Sequence, residues 1–335
     1  YSSSKSFAKD LWEKVGHYLT LGWPQDTTGL EDGCINDEQF LDLCDTIFNR
    51  RRQIFFHLLD NFKEGVLGSI FDDLDRIQHM FYHDRLDVAQ AWYKKLDAFV
   101  GEVGQRVSAW GGKYNYLIMS DHGFTTYQHK IHLNRWLIEN GYLTLNDGST
   151  SGDFSNVNWS QTKAYAVGLN SLYLNVAGRE GQGMVGAGEI ELLLTEIQGK
   201  LMKWMGPDGK SVTQRVRLKH ETYNGAYTRL GPDLVVGYAS GYRASSETGL
   251  GKIPQVLIEP NHDHWGADHC VDSDIVPGVI FANRDLQNFG GISFRDIPFL
   301  AIGKHLDQSH IRPPSQISGR GQKDLEERLK GLGYL

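Results

Sequence analysis

Tyr116-Leu-Ile-Met-Ser-Asp-His-Gly-Phe124 is the stretch on which the reading of this chain turns. Residues 116–119 form a short buried-strand pattern that ends at once in Ser120, Asp121 and His122, with Gly123 to ease a tight turn. Upstream, residues 66–71 are a second apolar run, and this one ends in Asp72-Asp-Leu-Asp75. Between the two, residues 84–110 carry helical periodicity through Leu86, Ala89, Trp92, Tyr93, Leu96, Phe99, Val103 and Val107. Strand, helix, strand in that order predicts a right-handed crossover and an α/β fold with a largely parallel sheet flanked by helices. Ligands of such sheets sit beyond the carboxyl ends of the strands, where both polar clusters fall.

Working outward, Phe40, Leu41, Cys44, Ile47, Phe48, Phe55, Leu58 and Leu59 predict one long helix over 37–62 with Asn36 as its N-cap. Segment 124–232 is expected to hold a smaller inserted subdomain, with helices over 131–140 and 186–205, a strand pair at 164–167 and 171–176, and a β-prone stretch at 212–223. Further strands are expected at 233–238 and 277–282, and helices at 297–305 and 323–330.

The 335 residues carry 34 Lys and Arg against 41 Asp and Glu, a net charge of −7 that disfavours a nucleic-acid partner. With 40% hydrophobic and 22% charged residues the chain has enough apolar material for a globular core. No apolar run approaches the ~18 residues of a membrane span. Three widely spaced cysteines, Cys34, Cys44 and Cys270, form no disulfide framework and favour a reducing compartment such as the cytoplasm.

Three clusters carry the chemistry. Asp75-Arg-Ile-Gln-His79 sets a carboxylate and an imidazole one helical turn apart, facing one point. Alone, that spacing is better explained by a surface Asp and a solvated or core-capping His. Asp121 and His122 converge only in a tight turn. Asn261-His-Asp-His-Trp-Gly-Ala-Asp-His269 packs three imidazoles and two carboxylates into one loop, a density uncommon in a loop that is merely solvated. Nitrogen and oxygen donors without cysteine suit Zn²⁺ or Mn²⁺ in a catalytic site, and three such clusters suit a two-metal hydrolase. His262 and His264 are rivals of His269, as Asp72 and Asp73 are of Asp75, although capping is the expected role of the latter pair. His129 and His132 read as structural, Trp92, Trp110 and Trp136 as core, and Arg179 as a candidate phosphate contact or a surface residue.

Residues 116–124, with Asp75 and His79 upstream and Gly-Ala-Asp-His269 downstream, resemble the alkaline phosphatase superfamily, in its type I phosphodiesterase/nucleotide pyrophosphatase branch, over nearly the whole chain. The resemblance implies an alkaline-phosphatase-like core with two divalent ions, Zn²⁺ first and Mn²⁺ second. Asp75, His79 and His269 would hold one ion, and Asp121 and His122 the other. It also implies a Thr or Ser nucleophile after a first strand ending in Asp. No such strand is found in residues 1–36, so the chain reads as the C-terminal portion, 1–335, of one catalytic domain, with the nucleophile upstream and Thr27 and Thr28 as the in-chain candidates. The expected activity is hydrolysis of a small-molecule phosphodiester or nucleotide pyrophosphate. The alternatives are a metal-binding but catalytically incomplete fragment, a single-ion hydrolase using water, and phosphomonoesterase, phosphomutase or sulfatase-type chemistry. Association with a missing N-terminal half or with a second copy would cover the exposed sheet edge.

Overall fold

The computed structural model describes residues 6–18, 24–112, 114–286 and 292–303; the expected helix over 323–330 lies outside them. The described residues divide into two compact units, one within 6–131, 239–243 and 258–303, the other within 132–238 and 244–257.

The first unit opens with helices α1 (Phe7–Val15), α2 (Thr27–Glu31), α3 (Asp37–Asn61), α4 (Asp73–Phe81) and α5 (Leu86–Ser108). The start of α3 is the expected one. The Asn36 side chain accepts from Gln39 N at 2.9 Å while the Gln39 side chain accepts from Asn36 N at 3.0 Å, a reciprocal capping box. The apolar stripes of α3, α4 and α5 close on each other around Phe40, Cys44, Phe48, Ile77, Met80, Trp92 and Phe99. Phe99 meets Phe48, Phe55, Phe56 and Phe71 with ring centroids 4.8–5.8 Å apart, in tilted or edge-to-face contacts that aromatic quadrupoles favour.

Among the described residues, the largely parallel sheet expected for this unit is not found: the strands pair antiparallel. Residues 66–71 form no strand: Val66 is 64% and Ile70 86% exposed, while Leu67 and Phe71 pack against the core of the helices. A six-residue apolar run has strand composition, yet without a neighbouring strand to satisfy its backbone it does not become one. Strand β1 (Leu117–Met119) exists as expected, but its described partner is Ile280–Ala282, which runs antiparallel with Ile118 opposite Phe281. The longer strand β2 (Thr125–Ile131), which the sequence reading missed, pairs antiparallel with Ile258–Pro260 and with Ala267–Asp268. Its polar residues hid the strand, since only Tyr127 and Ile131 are buried.

In the second unit, helix α6 (Leu133–Glu139) and helix α7 (Ile190–Leu201) pack on a four-stranded antiparallel sheet in the order Ala164–Ala166, Ser171–Leu174, Leu234–Tyr238, Thr213–Leu218. These elements lie where the sequence predicts them. Asn134 at the start of α6 donates to Ala166 O at 2.9 Å and accepts from Ala166 N at 2.8 Å, fastening helix to strand. Buried Asp233 accepts from Arg179 at 2.7 and 3.0 Å, from Lys219 at 2.7 Å and from Leu174 N at 2.8 Å. Burial alone would raise the Asp233 carboxyl pKa; the Arg179 and Lys219 hydrogen bonds overcome it and hold the group below its ordinary value. A carboxylate held down in this way stabilises the fold above its unfolded pKa and loses that contribution as pH falls through the acid range. Asp233→Asn is therefore expected to cost about 2 kcal/mol at pH 7 and much less near pH 3, read by urea denaturation at the two pH values. Equal costs at both would refute the assignment.

Candidate metal centre

Three histidine-bearing segments of the first unit converge. Helix α4 supplies Asp75 and His79 one turn apart, and His79 is buried. His79 Nδ1–H donates to Ala267 O at 2.8 Å, which leaves Nε2 directed at Asp75 Oδ1, 3.5 Å away. The turn after β1 supplies Asp121 and His122. It is fastened to residues 276–279 by Ser120 N to Val279 O (3.0 Å), Gly123 N to Val276 O (2.9 Å) and Val279 N to Ser120 Oγ (3.0 Å). The approach demands glycine on both sides: a Cβ at Gly278 would lie 2.6 Å from Ser120 O, and one at Gly123 3.0 Å from Pro277 O. His122 Nδ1–H donates to Gly123 O at 3.1 Å, so its Nε2 too is free, 4.0 Å from Asp75 Oδ1. The pairing of Ala267–Asp268 with Thr125 and Thr126 delivers His269, whose Nε2 is 3.7 Å from the same oxygen.

Asp75 Oδ1 thus faces three imidazole Nε2 atoms at 3.5–4.0 Å, beyond hydrogen-bond range. Ligands each ~2.1 Å from a tetrahedral ion stand roughly 3.4 Å apart, so these separations fit a divalent cation better than direct bonding. The His122 and His269 rings stack at 3.6 Å, and Phe124 meets His79 and His269 edge-on at 4.8 and 5.4 Å. The protonation states agree with the geometry. Burial pushes the Asp75 carboxyl up to about 6, with Arg76 and His122 opposing and Asp121 and Asp268 adding to it. Burial pushes His79 down to about 3, and burial together with His122 lowers His269, so both imidazoles are neutral donors at pH 7. A part-buried carboxylate, with one oxygen paired to Arg76 at 2.9 Å and the other facing the imidazoles, is a place where a cation is stabilised.

Among the described residues, two groups of potential ligands lie within 4.8 Å: Asp75, His122 and His269; and His79, Asp268 and His269. The second group is not a complete ligand set, because Asp268 is saturated. Its Oδ2 accepts from Arg243 Nε and from Trp265 Nε1 (2.8 Å), and its Oδ1 from His269 N (2.7 Å) and Cys270 N (2.9 Å). These four donors fill the lone-pair sites of a carboxylate. Burial works against its charge, but Arg243 and His79 outweigh it and hold the group well below the usual carboxylate range. Asp268 therefore orients the loop that carries His269.

Other expected candidates fall elsewhere. Asp121 is 3.5 Å from His122 Nε2 with its side chain 76% exposed, at the rim of the cluster. His262 and His264 are exposed, and Asp263 pairs with Lys130. Asp72 and Asp73 make no N-cap hydrogen bond; they bind Arg51 and Gln25. His129 stacks on Tyr242, and Arg179 is engaged by Asp233 and Glu180, a structural role. Thr27 is buried in α2 and Thr28 exposed; what ties α2 to the cluster is Glu31, which accepts from His264 N at 3.0 Å and Trp265 N at 3.1 Å. The sequence reading missed the roles of Asp268, Arg243 and Trp265. Only Trp265 and Asp268 carried any signal, by standing inside the histidine-rich loop.

A family model described as type I phosphodiesterase / nucleotide pyrophosphatase matches residues 6–265. No curated protein and no solved structure matches the chain.

Proposed function

Because this chain belongs to the type I phosphodiesterase/nucleotide pyrophosphatase family, a family of enzymes, we propose that it hydrolyses phosphoric esters of the phosphodiester or nucleotide pyrophosphate type at a site for two divalent ions. The observation that carries the reading is the convergence of three Nε2 atoms, from three separate segments, on Asp75 Oδ1. Asp75, His79 and His269 would hold one ion and Asp121 with His122 the other, with Zn²⁺ matched best by the nitrogen-rich donor set and Mn²⁺ next. Bound there, such ions supply Lewis-acid polarisation of a phosphoryl oxygen and neutralise its developing charge. The protein's own part is orientation. Backbone carbonyls of Ala267 and Gly123 hold the Nδ1 atoms of His79 and His122, fixing which nitrogen is offered. Phe124 against two of the imidazoles keeps one side of the site apolar, which strengthens electrostatic interactions within it. The attacking hydroxyl that the family resemblance implies is not one of these five side chains.

A second reading, a single-ion site, is favoured by the compactness of Asp75, His122 and His269. Elemental mass spectrometry on the chain loaded with zinc, paired with hydrolysis of a chromogenic phosphodiester before and after chelation, separates the two. Two equivalents with chelator-sensitive turnover support the two-ion site, and one equivalent supports the second reading. No bound metal would overturn both.

A further inference from the structure

We propose that Trp265 is a positioning residue for the His79 imidazole, an inference that rests on the metal-site reading above. Its indole stacks on the His79 ring with centroids 3.7 Å apart and planes 28° from parallel. The hydrogen bond from His79 Nδ1 to Ala267 O fixes one ring atom but leaves the ring free to tilt about that bond; a flat surface against the ring face removes the remaining freedom. The indole is itself held far more firmly than packing requires. Its Nε1–H donates to the saturated, Arg243-paired Asp268 at 2.8 Å, so the same ring that steadies His79 is locked to the loop carrying His269. The Trp265 backbone is clamped at both polar atoms: its N–H donates to Glu31 at 3.1 Å, and its carbonyl accepts from the Tyr127 hydroxyl and from the Asn261 amide at 3.1 Å. Next to it Gly266 admits no side chain, since a Cβ there would stand 2.3 Å from the His83 ring. The side chains of Glu31, Tyr127, Asn261 and Asp268 thus fix one tryptophan, and that tryptophan fixes the direction of one ligand nitrogen.

The test is cobalt(II) titration of the full 335-residue chain, following equilibrium dialysis and the visible d–d absorption, with Trp265→Phe, Trp265→Leu and Glu31→Ala. Trp265→Leu removes both face and N–H and is expected to weaken cobalt binding roughly 10–100-fold, the usual cost of losing an outer-shell partner, and to change the band shape at saturation. Trp265→Phe keeps an aromatic face and is expected to lose severalfold less; Glu31→Ala, on another element, should shift in the same direction. A purely structural role would lower thermal stability and leave the saturated spectrum unchanged. Folded Trp265→Leu with wild-type affinity and spectrum overturns the proposal; if that variant does not fold, wild-type behaviour of both Trp265→Phe and Glu31→Ala overturns it. Failure of the wild-type chain to take up cobalt would overturn the metal reading itself, a separate and distinguishable result.

Discussion

Asp75→Asn is expected to lower zinc affinity at least about 100-fold and to abolish phosphodiester hydrolysis, while making the metal-free protein more stable. The carboxylate is the anionic point on which three imidazole nitrogens converge, and Asn preserves its shape while removing the charge that holds a cation. The loss should exceed the 10–100-fold typical of outer-shell partners, because a ligand itself is removed. Asp121→Asn, at the exposed rim, removes a ligand proposed for the other ion and is expected to weaken binding of that equivalent by a similar factor. The stability effect has the opposite sign. A carboxyl pushed up to about 6 in the folded chain binds its proton more tightly folded than unfolded, so between its unfolded value and pH 6 stability falls as pH rises, and above pH 6 the full penalty is present. Removing the charge should recover roughly 1–2 kcal/mol at pH 7 in the presence of chelator, read by thermal unfolding. Asp75→Asn with undiminished zinc binding would sink the site, and a metal-free variant less stable than wild type would contradict the electrostatic account.

Asp268→Ala should be the most destabilising single change at the site, costing about 3–5 kcal/mol, because it removes the carboxylate paired with the buried Arg243 guanidinium. Both side chains are nearly enclosed, Asp268 at 2% and Arg243 at 10% exposure, so water does not replace the lost partner. The substitution also strands the Trp265 indole N–H and the two backbone donors of His269 and Cys270. Removing both charges in Asp268→Leu with Arg243→Met is expected to cost clearly less than the sum of the single changes, since neither leaves an unpaired ion. Urea denaturation of the four proteins completes the cycle; additive losses would show that the pair is not coupled.

What was legible in the sequence is what short-range physics decides. The expected 37–62 helix became Asp37–Asn61 and the expected 84–110 helix became Leu86–Ser108, because amphipathic period and the Asn36 cap act within a few residues. The same holds for Asp75 and His79, whose shared direction follows from one helical turn, and for the turn that Gly123 permits. Tertiary structure alone decided how the strands pair. Residues 66–71 have the composition of a strand and no partner, while the polar β2 has partners and is a strand. Tertiary structure also decided which carboxylate stays available to a cation and which is consumed. Asp75 and Asp268 both stand four residues or fewer from a histidine, and nothing local distinguishes them. Arg243, 25 residues before Asp268, saturates one, whereas the carbonyl of Ala267, 188 residues after His79, aims a free nitrogen at the other. Ion pairs and hydrogen bonds over such separations depend on where the chain has already been brought by its core, so no window of sequence contains them.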